Sequence, residues 1–172
     1  FVLVKTSGAS MKAFQIPTLP KDEITDGIKQ AVNSERKRYA KILHEPGAEF
    51  NEVFNFTQYD SYMQPHLHPS NEKIEYIHII EGRVAVLFFD NTGEITECTI
   101  LDNAGTKFIE VPAFTWHTYV MLTENVITYE TMMGVYKTET WKKFAKWAPF
   151  EDTLLAKSYL GKLKLYINKD LR

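Results

Sequence analysis

The chain of 172 residues contains a single cysteine, Cys98. A disulfide framework within the chain is therefore excluded, and this cysteine usage fits a reducing compartment, so a cytoplasmic location is expected. No apolar run approaches the roughly eighteen residues that a membrane-spanning helix needs. There is no block of like charge either. The 20 Lys and Arg face 22 Asp and Glu for a formal net charge of −2, spread along the chain, which gives no electrostatic ground for nucleic-acid or membrane binding. Internal repeats and low-complexity tracts are absent. What remains is an ordinary globular composition, 44 % hydrophobic and 24 % charged, long enough for one domain with a core or one domain with an extension. Met11 opens Met-Lys-Ala-Phe-Gln-Ile-Pro. Residues 1–10 are accordingly read as an expression remnant or a disordered leader.

Asp22 to Ala40 is the best helical candidate. Ile24, Ile28, Ala31, Val32 and Tyr39 recur at near-helical spacing, with acids early and bases late, as the helix dipole favours. The segment 11–44 is therefore taken as N-terminal and helical. From Glu49 to Tyr136 the pattern becomes strand-like. Short extended runs over 49–57, 61–68, 73–80, 83–89, 94–101, 107–111, 117–122 and 125–132 are separated by turn residues, Asp90-Asn91-Thr92-Gly93 being the strongest hairpin signal. So many closely spaced strands indicate an all-β sandwich or barrel over 45–136. Beyond Gly134, Trp141, Phe144, Trp147 and Phe150 lie among lysines. Residues 137–172 are expected to form a partly helical extension that packs on the barrel or on a partner subunit.

The chemistry concentrates between Gln64 and Gly82. His66 and His68 stand two apart in an extended context, so both imidazoles project from one face. A carboxylate follows a few residues on, and a third histidine, His117, comes after the turn at Pro112. That donor set suits one divalent transition metal with open positions: Fe, Mn, Ni, Co and Zn are all compatible. Tyr62 and Gln64 share parity with the histidine pair, and Tyr119 shares the face of His117. These three are expected to line the same cavity, Tyr119 and Tyr62 as candidate catalytic phenols and, with Gln64, as substrate-binding groups. His44 is a further candidate for the lining. His78 and Trp116 should face away. Of Tyr129 and Glu130 only one can face inward, and Arg38 is a candidate for holding an anionic group.

The segment from His66 to Val120 resembles the two sequence motifs of cupins. In the first motif six residues separate the glutamate from a glycine, which selects Glu75 ahead of Gly82. Glu72 keeps the usual gap after His68 but breaks that spacing. Strand parity also favours Glu75, which shares a face with Ile77 and Ile79. The resemblance therefore implies His66, His68, Glu75 and His117 as metal ligands. In the second motif Phe114 replaces the usual glycine and Met121 the usual asparagine. Tyr62-Met-Gln-Pro-His-Leu-His-Pro, Pro112-Ala-Phe-Thr-Trp-His-Thr, and Gly134-Val-Tyr followed by Phe144-Ala-Lys-Trp-Ala-Pro are similar to the WbuC family of small cupin-fold metalloproteins, over roughly residues 36–151.

The resemblance implies a double-stranded β-helix, the jelly-roll barrel. It also implies an association with bacterial surface-polysaccharide synthesis, since members are often encoded near such genes. Three functions follow as alternatives. The first is a metal-dependent isomerase or epimerase acting on a sugar or nucleotide-sugar-like substrate. The second is an Fe(II)-dependent dioxygenase. The third is a non-catalytic, metal-stabilised module for a small ligand. The expected partner is a small polar molecule, a carbohydrate or an organic acid, and the expected assembly is a homodimer.

Overall fold

Strand alternation sends successive side chains to opposite faces. In the computed structural model, which describes residues 15–170, that division produces four layers. The reading of residues 1–10 lies outside the described residues. In chain order the elements are α1 (Lys21–Asn33), β1 (Arg38–Ile42), β2 (Phe50–Gln58), β3 (His66–Leu67), β4 (Glu75–Glu81), β5 (Arg83–Phe89), β6 (Ile95–Asp102), β7 (Phe108–Val111), β8 (Trp116–Met121), β9 (Asn125–Met133), α2 (Thr138–Trp141), β10 (Lys143–Phe144) and α3 (Leu154–Asp170). The strands form two five-stranded sheets, ordered β1-β2-β9-β4-β7 and β10-β3-β8-β5-β6. Every ladder between these strands is antiparallel.

The inner faces share one core. Ile77, Ile79, Val111 and Val126 of the first sheet meet Val84, Val86, Phe88, Tyr119 and Met121 of the second. The outer face of the first sheet carries Phe54, Phe56, Ile127 and Tyr129 against Ile24, Ile28 and Ala31 of α1. The outer face of the second carries Ala85, Leu87, Phe89 and Val120 against Ala156, Leu160, Leu163 and Ile167 of α3. The last four recur every three or four residues, so the apolar–basic mixture of the tail is one stripe of a helix. Gly82 has φ +84, and a Cβ there would collide with the Asn125 carbonyl and the Thr123 hydroxyl. Only glycine closes the β4–β5 turn without strain.

Two sequence expectations change. The first helix ends at Asn33, not near Ala40. Lys37, at φ 56, turns the chain back, and Arg38–Ile42 pairs with β2. Tyr39 lies over Phe56 with ring centroids 6.0 Å apart. Tertiary pairing has overridden helical periodicity here, so a strand of the first sheet falls inside the segment read as helical. The extended run 61–68 shrinks to the two residues of β3. The Asp90 turn forms as expected, Asp90 Oδ1 accepting the N–H groups of Thr92, Gly93 and Glu94.

Gly27 of α1 sits so close to the Phe56 ring that a Cβ would overlap it. Gly27→Ala is therefore expected to lower unfolding stability by about 1–3 kcal/mol in urea titration through overpacking, although Ala is the better helix former. A stability gain would show that α1 is not seated on Phe56.

Candidate metal centre

The two sheets contribute to one buried cluster. Two-residue β3 pairs with β8 so that His66 faces His117 across the ladder. His68 follows immediately, and Glu75 begins β4 on the opposite sheet. All four side chains are buried. The three imidazoles offer ligand atoms that lie within 4.8 Å of one another. Glu75 Oε2 is 3.1 Å from His117 Nε2 and 3.4 Å from His68 Nε2, and it accepts a hydrogen bond of 2.6 Å from the Tyr119 hydroxyl.

Each imidazole is oriented by a backbone carbonyl. His66 Nδ1 bonds Gln64 O at 3.0 Å, His68 Nδ1 bonds Trp141 O at 2.8 Å, and His117 Nδ1 bonds Thr115 O at 2.8 Å. A carbonyl only accepts, so Nδ1 carries the proton and the Nε2 lone pair is free, the arrangement that metal-ligating histidines use. All three Nε2 atoms and Glu75 Oε1 are buried with no hydrogen-bond partner. Lone pairs of Nε2 and of a carboxylate at these distances repel unless a proton or a metal ion lies between them.

The electrostatics agree. Burial, helped by the positive charge of Lys142, holds His66 well below its ordinary pKa, so its imidazole is neutral. Burial alone would raise the Glu75 carboxyl, but contacts with His117 and His68 outweigh it and keep Glu75 ionised. Burial, with the Glu75 charge adding to it, pushes the Tyr119 phenol well above its ordinary value, so it stays a donor. The same two causes in the same order raise Glu130, which touches Glu75 and accepts 2.7 Å from Asn55 Nδ2.

The segment after β9 is built into this cluster. Besides the Trp141 carbonyl, β10 pairs Phe144 with His66. Ala145 N–H donates to Pro65 O at 2.8 Å, and Gln64 Nε2 donates to Ala145 O at 2.9 Å. Lys73 Nζ donates to Thr140 O at 2.7 Å. The segment is fastened by Glu151, which Arg38 Nη2 contacts through both carboxylate oxygens at 2.7 and 2.8 Å and Arg36 Nε contacts at 2.9 Å. Burial would raise the Glu151 carboxyl, but Arg38 and then Arg36 outweigh it and hold it below the ordinary range. Residues 137–151 thus form a strap across the histidine pair.

The remaining expected residues divide clearly. Tyr119 faces the cluster. Glu75 is buried beside the histidines while Glu72 is exposed. Tyr62 and Gln64 are corrections to the expected lining. Residues 61–65 are not a strand, so parity does not carry back from His66. Tyr62 donates instead to Pro149 O at 2.9 Å and packs edge-on against Tyr159 of α3. The Gln64 side chain binds the strap, and only its carbonyl serves a histidine. Arg38 is engaged by Glu151. His78 packs on Phe108, and Trp116 Nε1 donates to Asn91 Oδ1 on the outside. Glu130 faces inward, whereas Tyr129 lies under α1. Phe114 adopts φ 60, the left-handed conformation usually left to glycine, and its N–H bonds His68 O at 3.0 Å.

A cavity of about 580 Å³ adjoins the cluster. Its walls include Tyr119 and Glu130, which touch Glu75, and Trp141 and Phe144, whose rings lie 6.2 and 6.0 Å from His68 and His66. His44 lines its far side, where its Nδ1 accepts the Glu52 N–H at 3.0 Å. Sequence reasoning missed Lys142, Asn55 and the strap. The sequence signals for the strap were its aromatic residues and the Phe144-Ala-Lys-Trp-Ala-Pro run, and neither showed that it reaches the histidines.

Comparison with solved structures places the architecture. Protein SO0799 from Shewanella oneidensis superimposes with a TM-score of 0.53 at 10 % identity, over 69 % of this chain and 82 % of that one. The capsular polysaccharide assembling protein CapF from Staphylococcus aureus gives 0.55 at 13 % identity, over 64 % of this chain. The fold is cupin-like. The chain spans about a third, 32 %, of the length of CapF. Peruvianin-I, described as a cysteine peptidase from Thevetia peruviana latex, also aligns, with a TM-score of 0.51 at 14 % identity over 69 % of this chain and 74 % of that one. This spread of descriptions leaves the chemistry to be argued from the site. Residues 19–101 match the family described as a domain of unknown function, DUF6016. No curated protein matches the sequence. No helix among the described residues is long and apolar enough to cross a membrane.

Arg38→Met is expected to cost about 3 kcal/mol at most, the low end for orphaning one partner of a buried pair, because Arg36 still reaches Glu151. Glu151 has a depressed folded pKa. Its contribution is therefore present above the unfolded carboxylate value of about 4.3 and fades as pH falls through the lower, folded value. Denaturation of both proteins across pH 2–7 should show the difference shrinking towards acid. A pH-independent difference would contradict the assignment.

Proposed function

We propose that the protein is a metalloprotein in which Nε2 of His66, His68 and His117 and a carboxylate oxygen of Glu75 hold one divalent transition metal and present it to a small polar molecule in the adjoining cavity. The supporting observation is the convergence of four buried, unpartnered lone-pair atoms. Left unsatisfied, each such atom costs about 1–3 kcal/mol, a penalty that a metal ion removes. When bound, the metal supplies Lewis-acid polarisation of an oxygen ligand.

The chain's own residues prepare that chemistry. The three carbonyls fix the imidazole tautomers. Tyr119 donates to Glu75 and holds its orientation. Glu130, held by Asn55, keeps a carboxyl group on the cavity side of Glu75. Trp141 and Phe144 wall the cavity beside the histidines and limit water. The two sheets are read as the halves of a jelly-roll barrel. The motif resemblance to the WbuC family points to a carbohydrate or organic acid of surface-polysaccharide synthesis. CapF, which shares the fold, is described as a capsular polysaccharide assembling protein. The same reading takes the working form to be a cytoplasmic homodimer, supported by the exposed Leu155 and Leu165 on α3.

Elemental analysis of protein purified without chelator is expected to give about one transition-metal ion per chain, the capacity of a single site with this donor set. His68→Ala should abolish stoichiometric metal, Glu75→Gln should weaken it, and Glu72→Ala should leave it intact. Loss of metal from Glu72→Ala with retention in Glu75→Gln would overturn the ligand set. Tyr119→Phe removes one hydroxyl from a buried carboxylate. Metal should be retained, while calorimetry of the metal-free protein should show stability reduced by about 1.5–3 kcal/mol, the range for hydrogen bonds to charged groups. No stability change would mean that the Tyr119–Glu75 bond does not form.

A further inference from the structure

Lys142 is the one residue of the strap's cavity wall whose charge the fold leaves unspent. It follows Trp141, whose carbonyl holds His68, and precedes Phe144, which faces His66. The next residue, Lys143, sits over the Trp116 ring, 5.9 Å from its centroid. Lys142 lines the cavity together with Tyr119 and Glu130. Its ammonium has no hydrogen bond or ion pair with any side chain of the described residues. The other cations of this wall, Arg36 and Arg38, are both committed to Glu151. Lys142 thus shares this cavity with Trp141 and Phe144, the two rings beside His68 and His66.

With a divalent ion held by three neutral imidazoles and one carboxylate, the centre itself is net positive. Lys142 adds to that charge, and the sum stays positive even with Glu130 ionised. A half-buried, unpaired cation beside a positive centre favours an anion and penalises a neutral ligand, which leaves both charges uncompensated. We propose that the cavity takes a small carboxylate-bearing molecule, a hydroxy acid or an acidic sugar, whose carboxylate lies between the metal and Lys142. This inference rests on the metal reading and narrows it, since a neutral sugar falls outside the class. The planar, two-oxygen carboxylate suits one metal and one ammonium.

The test uses the full chain loaded with Co(II), whose visible bands report on ligands at the metal. Cobalt content is measured first. The probes are glycolate and its neutral counterpart ethylene glycol. Glycolate is expected to perturb the bands and ethylene glycol to leave them unchanged at equal concentration. Lys142→Met should retain cobalt but raise the glycolate Kd at least tenfold, and Lys142→Arg should recover most of that loss. Protein that takes up no cobalt overturns the metal reading and this inference with it. Full cobalt content overturns this inference alone in any of three cases: equal glycolate affinity in Lys142→Met, binding of ethylene glycol as tight as glycolate, or no binding of glycolate.

Discussion

Four buried lone-pair atoms facing one another are the constraint around which this molecule is organised. His66, His68 and His117 have Nδ1 committed to backbone carbonyls, so each turns its Nε2 toward the shared centre. Glu75 is held ionised against them. Burying these atoms without a partner is costly, yet the fold does so with donors drawn from both sheets. The packing of the sheets, the short β3 and the turn at Gly82 make sense as the means of bringing Glu75 to the histidines. A metal ion resolves the repulsion, and its binding should release whatever protons stand in for it.

The strap extends this constraint across the chain. A histidine ligand is only as well placed as the group behind it, and the group behind His68 is the carbonyl of Trp141, 73 residues away in sequence. The strap stays in place because Glu151 is tied to Arg38, 113 residues distant. Phe114 accepts a left-handed backbone, a strained choice for a non-glycine residue, and its N–H is thereby aimed at the His68 carbonyl. Fold stability and site geometry are therefore one problem in this protein. The strap also supplies part of the wall of the adjoining cavity, through Trp141, Lys142 and Phe144.

Much of the centre was legible in the sequence because a strand has period two. Parity put His117 and Tyr119 on one face and Glu75, Ile77 and Ile79 on another, and the structure places all five inward. The same rule failed for Tyr62 and Gln64, because parity requires a strand and residues 61–65 are held instead by hydrogen bonds to the strap. It was silent on Tyr129 against Glu130, which the α1-covered outer face decides. The strand at Arg38–Ile42 was hidden by a helical spacing that continued by coincidence to Tyr39, and only pairing with β2 reveals it. The role of Arg38 was out of reach, because its partner Glu151 lies 113 residues away on a segment that sequence spacing does not bring near.

The most direct test of the account is X-ray absorption at the edge of whichever transition metal copurifies with the protein. The expected spectrum shows nitrogen and oxygen neighbours at about 2.0–2.2 Å with the outer-shell scattering of three imidazoles. A shell containing sulfur, a shell of oxygen without imidazole scattering, or protein that holds no metal after saturation with zinc would contradict it.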